Sequence, residues 1–85
     1  MSKSKKLLLN ILSGLSDANI RFDELCDLLK KLGFDSRTRG SHHVFRKAGI
    51  EDKINLQRDG SHAKPYQVRQ VRQVIVNNKL GGLDV

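Results

Sequence analysis

The hydrophobic period of this chain changes once, at Gly33, from about 3.6 residues to 2, and that change fixes the order of its elements. Before it, DANIRFDELCDLLKKLGF carries Leu25, Leu28, Leu29 and Leu32 on one helical stripe. Asp23 and Glu24 near its start and Lys30 and Lys31 near its end suit the helix dipole, and Gly33 sits where a helix stops. After it, FDSRTR and HHVFRK alternate around a Gly40-Ser41 turn, and DKINLQ puts Ile54 and Leu56 on one face. Three short strands so joined predict an antiparallel meander.

The flanks are helical again. Leu7, Leu8, Ile11, Leu12 and Leu15 form an apolar stripe that ends near Gly14 and reads as an N-terminal extension, residues 1–20. Asp59-Gly60-Ser61 breaks the chain before Pro65, a residue suited to the first turn of a helix. Val68, Val71, Val74 and Ile75 give that last helix its buried side, with Arg69, Gln70, Arg72 and Gln73 on the others. A chain of 85 residues supports one core, so residues 1–85 are expected to form a single domain. The expected class is α+β: a three-stranded antiparallel sheet with helices on one face and the other face open.

Charge distribution narrows the partner. The net charge is +7, and residues 36–50 alone carry +4 from Arg37, Arg39, Arg46 and Lys47 without an acid. Residues 17–35 carry −2. A positive field gathered on particular strands suits a polyanion such as a nucleic acid. Cys26 is the only cysteine, which excludes an intrachain disulfide and a cysteine-rich zinc site, and its place among leucines reads as core. The lysines and leucines of MSKSKKLLLNILSGL look superficially like a secretion signal, but Asn10 interrupts the run and Asp17 follows at once. No run approaches the ~20 apolar residues of a membrane span. A cytoplasmic protein without membrane attachment is expected.

The adjacent histidines of GSHHVFRK lie on a strand, so they point to opposite faces. His43 goes with Phe45 toward the core, and His42 goes outward with Val44 and Arg46. Opposed side chains do not chelate one ion, and His62 is far along the chain; no metal site is expected. An outward imidazole among cations can exchange a proton at neutral pH beside a bound phosphate. Arg37 and Arg39 share a face of the first strand by the same parity. Lys64 and the amides opening the last helix offer a further anion site.

GSHHVFRK, then INLQ, then KPYQVRQVRQVI, together resemble the HicA family of toxins from bacterial toxin–antitoxin pairs, over about residues 22–78. The resemblance implies a double-stranded-RNA-binding-like α-β-β-β-α fold, here with an extra N-terminal helix. It also implies metal-independent endoribonuclease activity on mRNA, with no cofactor and with silencing by a HicB-type antitoxin protein. The family's catalytic histidine falls on His42. Arg37, Arg39, Gly40, Ser41, Arg46 and Lys64 become candidate RNA contacts, and GSHAKP places His62 in the family's segment between the third strand and the last helix. Two other readings stand beside it: a non-catalytic RNA-binding module of the same fold, and a DNA-binding protein that lays RQVRQVIVNNK in a major groove. Oligomeric state, RNA sequence preference and the direction of proton transfer at His42 stay open.

Overall fold

A computed structural model describes residues 3–82. The chain runs α1 (Lys3–Ser13), a 3-10 turn (Asp17–Asn19), α2 (Phe22–Lys31), β1 (Asp35–Arg39), β2 (His42–Arg46), β3 (Ile54–Asp59), β4 (His62–Ala63), α3 (Pro65–Asn77) and a closing 3-10 turn (Leu80–Gly82). The α+β class and the meander are as expected, with one addition. The sheet has four strands in the order β1-β2-β3-β4, all antiparallel, because the GSHA stretch turns back on β3 instead of running as a loop. Two residues of alternation were too short to signal a strand. The third strand also starts and ends two residues later than DKINLQ suggested.

Local chemistry sets the ends of the elements. In α2, the amide of Gly33 donates to the Lys30 carbonyl and that of Phe34 to the Leu29 carbonyl, both at 3.0 Å. That is the paired closure of a helix by a following glycine, and it sends Phe34 back into the core at 3% exposure. Gly40, at φ +58, is the first residue of a two-residue loop between the paired Arg39 and His42. A first central residue at positive φ followed by one at negative φ is a type II′ turn, whose twist matches the flanking strands. The Gly60-Ser61 loop between Asp59 and His62 repeats this geometry. In a meander, the first and third turns lie at the same end of the sheet, so both Gly-Ser-His sequences lie there.

All three helices contribute to one core. Phe22, Leu25, Leu28 and Leu29 of α2 join Val68, Val71, Val74 and Ile75 of α3 over Phe45, Ile54 and Leu56 of the sheet. The first helix, read from sequence as an extension, supplies Leu8 and Ile11 to the same cluster, both fully buried. Leu15, placed on its stripe by spacing, lies beyond the helix end and is 88% exposed. Arg72 fastens α3 to this corner: its Nη1 donates to Asp17 Oδ1 at 2.9 Å and to the Ile11 carbonyl at 3.1 Å, and its Nη2 to Asp17 Oδ2 at 3.1 Å. Strand β1 is an edge strand exposed along its whole length, with Ser36 and Thr38 bordering a groove beside α2. Among the described residues, no helix is long and apolar enough to cross a membrane.

Candidate active site

Residues that pair directly across an antiparallel ladder share a face, so the register assigns each side chain to one side of the sheet. His43 pairs with Leu56 and Thr38, and Phe45 with Ile54 and Ser36: this is the helix side. His42 pairs with Arg39 and Gln57, Val44 with Arg37 and Asn55, and Arg46 with Asp35: this is the open side. The two histidines therefore separate as strand parity predicts. His43 is half-buried, its ring edge-on to Phe22 with centroids 4.9 Å apart, and its Nδ1 is 3.4 Å from Thr38 Oγ1. Arg58 covers the same Phe22 ring at 4.7 Å and pairs with Asp23 at 2.7 Å. His43 is thus a packing residue. His42 is exposed, and its ring has no hydrogen-bond partner among the described residues.

On the open side the cations gather around a hollow of about 680 Å³ lined by Asp35, Ser36, Arg37, Arg39, Val44, Arg46 and Lys53. None of these four cationic side chains has an ion-pair partner among the described residues. Arg37, Arg39 and Arg46 are brought to one face as expected, and Lys53 joins them from the start of β3.

Across the end of the face next to the turns runs a row the sequence revealed only in part. Arg39, His42 and Gln57 are successive partners across β1, β2 and β3. Lys64 follows Ala63, the partner of Arg58, and so comes opposite Gln57; its Nζ donates to Gln57 Oε1 at 3.4 Å. Gln57 Nε2 donates to Ser41 Oγ at 3.3 Å. Gln57 is consequently a bridge that sets Ser41 and Lys64 on either side of the His42 row. Its own backbone amide, beyond the ladder, donates to Gln67 Oε1 at 3.0 Å, which pins the first turn of α3 to the strand. Gln67 is 3% exposed, so this contact is shielded from water.

Gln57 is the residue that sequence reasoning passed over. Alternation in INLQ assigns it to the polar face, but its register against His42 depends on the loop between β2 and β3, whose geometry no local pattern sets. The expected amide cluster at the start of α3 is also smaller than proposed. Pro65 has no amide hydrogen, and the amides of Gln67 and Val68 donate to the Lys64 carbonyl at 2.9 and 3.1 Å. Only the Tyr66 amide of the first turn is left, so Lys64 offers its ammonium group rather than a nest of donors. His62, across the ladder from Asp59, has its Nδ1 3.2 Å from Ser61 Oγ.

The remaining titratable groups do other work. Cys26 lies in a groove of about 330 Å³ on the helix side, beside Phe22, Lys30 and His43. Burial pushes its thiol up to about 11, which leaves it a poor nucleophile. The hydrogen bond to Asp17 raises the Arg72 guanidinium further, which commits that residue to structure. Arg72 is held by Asp17, and Val71, Val74 and Ile75 are buried, so these residues of RQVRQVIVNNK are taken up by the fold; Arg69, Gln70, Gln73 and Val76 remain exposed. Among the described residues, no group of three or more histidine, cysteine or acidic side chains is placed to hold a metal ion.

The chain was compared with known proteins. A family model described as the HicA toxin of bacterial toxin–antitoxin systems matches residues 22–75, from the first residue of α2 through Ile75 of α3. No curated protein and no solved structure matches the chain.

Proposed function

The chain belongs to the HicA family, toxins of bacterial toxin–antitoxin systems, and from this premise we propose that it is an endoribonuclease that cuts mRNA with His42 as its proton-transferring residue. The observation that carries the reading is the position of His42: exposed, without a hydrogen-bond partner among the described residues, in one row with Arg39, Gln57 and Lys64 on the positive face of the sheet. A phosphodiester laid across this row meets cations on both sides and an imidazole beside it. That is the equipment for in-line attack by the substrate's own 2′-hydroxyl, in which the P–O2′ bond forms as the P–O5′ bond breaks. One proton leaves the 2′-oxygen and one arrives at the departing 5′-oxygen, and His42 serves one of these transfers. Arg39 and Lys64 stabilise the extra negative charge on the phosphorane. Arg37, Arg46 and Lys53 hold flanking phosphates, Ser41 donates from the turn, and Gly40 lets the backbone make that turn. The reaction needs no cofactor and no metal-bound hydroxide.

Membership of the family makes an antitoxin the partner protein. In this reading the antitoxin is of the HicB type and works by covering the His42 row in the cytoplasm.

Purified protein, a labelled RNA and excess chelator test the chemistry. Fragments should end in a 2′,3′-cyclic phosphate, or its hydrolysed form, and a 5′-hydroxyl. His42→Ala should lower the cleavage rate by roughly 10²–10⁴ while circular dichroism stays unchanged. Products with 5′-phosphate ends, or a strict requirement for a divalent ion, would rule the mechanism out. Tight binding without any cleavage would make the chain a binding module.

A further inference from the structure

The chain has four aromatic side chains, Phe22, Phe34, Phe45 and Tyr66, and no tryptophan. The three phenylalanines are buried at 1–3% exposure, whereas Tyr66 is 55% exposed. Among the described residues, the other large apolar side chains that face water, Leu9, Leu15 and Val76, are aliphatic; they belong to α1, the turn after it and the far end of α3. Tyr66 is the one that follows closely on a residue of the His42 row, two positions after Lys64. It is the second residue of α3, between Lys64, whose Nζ meets Gln57 Oε1, and Gln67, whose Oε1 takes the Gln57 amide. Both neighbours hold the first helical turn against the partner residue of His42. The side chain lies outside the hydrophobic core, and its phenol has no hydrogen-bond partner among the described residues.

A rigid aromatic ring beside a row of phosphate-binding cations is the arrangement that grips an unpaired nucleotide: the cations take the backbone and the ring takes the base. We propose that Tyr66 is a base-stacking residue, receiving an unpaired base of the RNA whose phosphate lies over Gln57 and Lys64. This rests on the reading of the His42 face as an RNA site and adds to it a single-stranded substrate at that point. A base inside a duplex is already stacked on its neighbours and cannot reach the ring. The phenol hydroxyl is not needed for stacking, so phenylalanine should replace tyrosine and an aliphatic residue should not.

The experiment uses the intrinsic fluorescence of the protein, which comes from Tyr66 alone, since there is one tyrosine and no tryptophan. The full chain is titrated with a short mixed-sequence 2′-fluoro oligonucleotide, which lacks the attacking hydroxyl, and with the same sequence as a duplex. Binding is followed by tyrosine emission and, independently, by anisotropy of a labelled strand. The single strand should quench the emission. Tyr66→Leu should bind it about 5- to 150-fold more weakly, Tyr66→Phe should bind as the wild type does, and the duplex should be indifferent to both changes. Circular dichroism checks that both variants are folded. Unchanged affinity in a folded Tyr66→Leu, or binding without quenching, would overturn the stacking role and leave the RNA reading standing. A wild-type chain that binds neither strand form would overturn both.

Discussion

Leu8 and Ile11 of the first helix are fully buried, yet this helix lies outside the 22–75 segment that matches the family. If the helix is an appendage, trimming these side chains costs little; if it completes the core, the cost is that of any cavity. Ile11→Ala removes three carbons from a site with no contact to water, next to the carbonyl that Arg72 holds from α3. Buried isoleucine and leucine truncations cost about 2–5 kcal/mol, as lost transfer energy plus an unfilled cavity. A chain of 85 residues is stabilised by roughly 4–13 kcal/mol in all, at about 0.05–0.15 kcal/mol per residue. One truncation should therefore lower the melting midpoint by at least about 8 °C, at about 4–8 °C per kcal/mol for a domain of this size. Leu8→Ala with Ile11→Ala should leave little cooperative unfolding to measure. Urea and thermal unfolding followed by circular dichroism give the numbers. A loss below about 0.5 kcal/mol for Ile11→Ala, the range of ordinary surface changes, would refute the argument. So would a chain lacking residues 1–14 that unfolds at the wild-type midpoint.

Three further outcomes are expected. Arg72→Met should cost about 1–3 kcal/mol, between an exposed and a buried ion pair, because the side chains of Arg72 and Asp17 are 24% and 16% exposed; a melting curve that does not move would deny the pair a structural role. His43→Ala should destabilise by about 1–3 kcal/mol through loss of the contact with Phe22, and lost RNA cleavage at full stability would show that the two histidines had exchanged roles. Cys26 should react with iodoacetamide at pH 8 about two orders of magnitude more slowly than a free thiol, since its folded value is about 11. The folded thiol holds its proton more tightly than the unfolded one, so its contribution to stability is in place below 9.0 and is lost as pH rises through about 11. Fast labelling at pH 8 would contradict this.

The legible parts of the fold were those written in local periodicity. The stripe of α2, the glycine that closes it, the Pro65 start of α3 and the opposite faces of His42 and His43 each follow from a few neighbouring residues. What stayed hidden depends on contacts between segments distant in sequence. Strand β4, besides its pairing with β3, is held on its other side by residues 20–22: the Ala63 amide donates to the Ile20 carbonyl and the Phe22 amide to the Ser61 carbonyl, at 2.9 and 3.0 Å. No window around residue 62 contains that information. Gln57 was hidden for a related reason: its polarity was plain, but not the coincidence in one row of a strand partner, a turn serine and a lysine from the next connection. The burial of α1 likewise required knowing that α2 and α3 leave a place for Leu8 and Ile11.

The same long-range contacts decide where the net charge of +7 is felt. Three acids of the helical side are consumed by ion pairs: Asp17 with Arg72, Asp23 with Arg58 and Glu24 with Lys3. Each removes a cation that sequence alone would have counted toward a diffuse positive surface. The cations left without such partners among the described residues include Arg37, Arg39, Arg46 and Lys53, and all four lie against the open face of the sheet. Folding thus gathers four cations without ion-pair partners on one face of the sheet, while Lys6, Lys30 and Arg69 stay without such partners on the helices, among the described residues. The four cations of the sheet face attract a polyanion with a pull that weakens as salt screens it. On that side His42 is the exposed imidazole within the row, so in the proposed reading one face both meets the phosphate and presents the group that moves its protons.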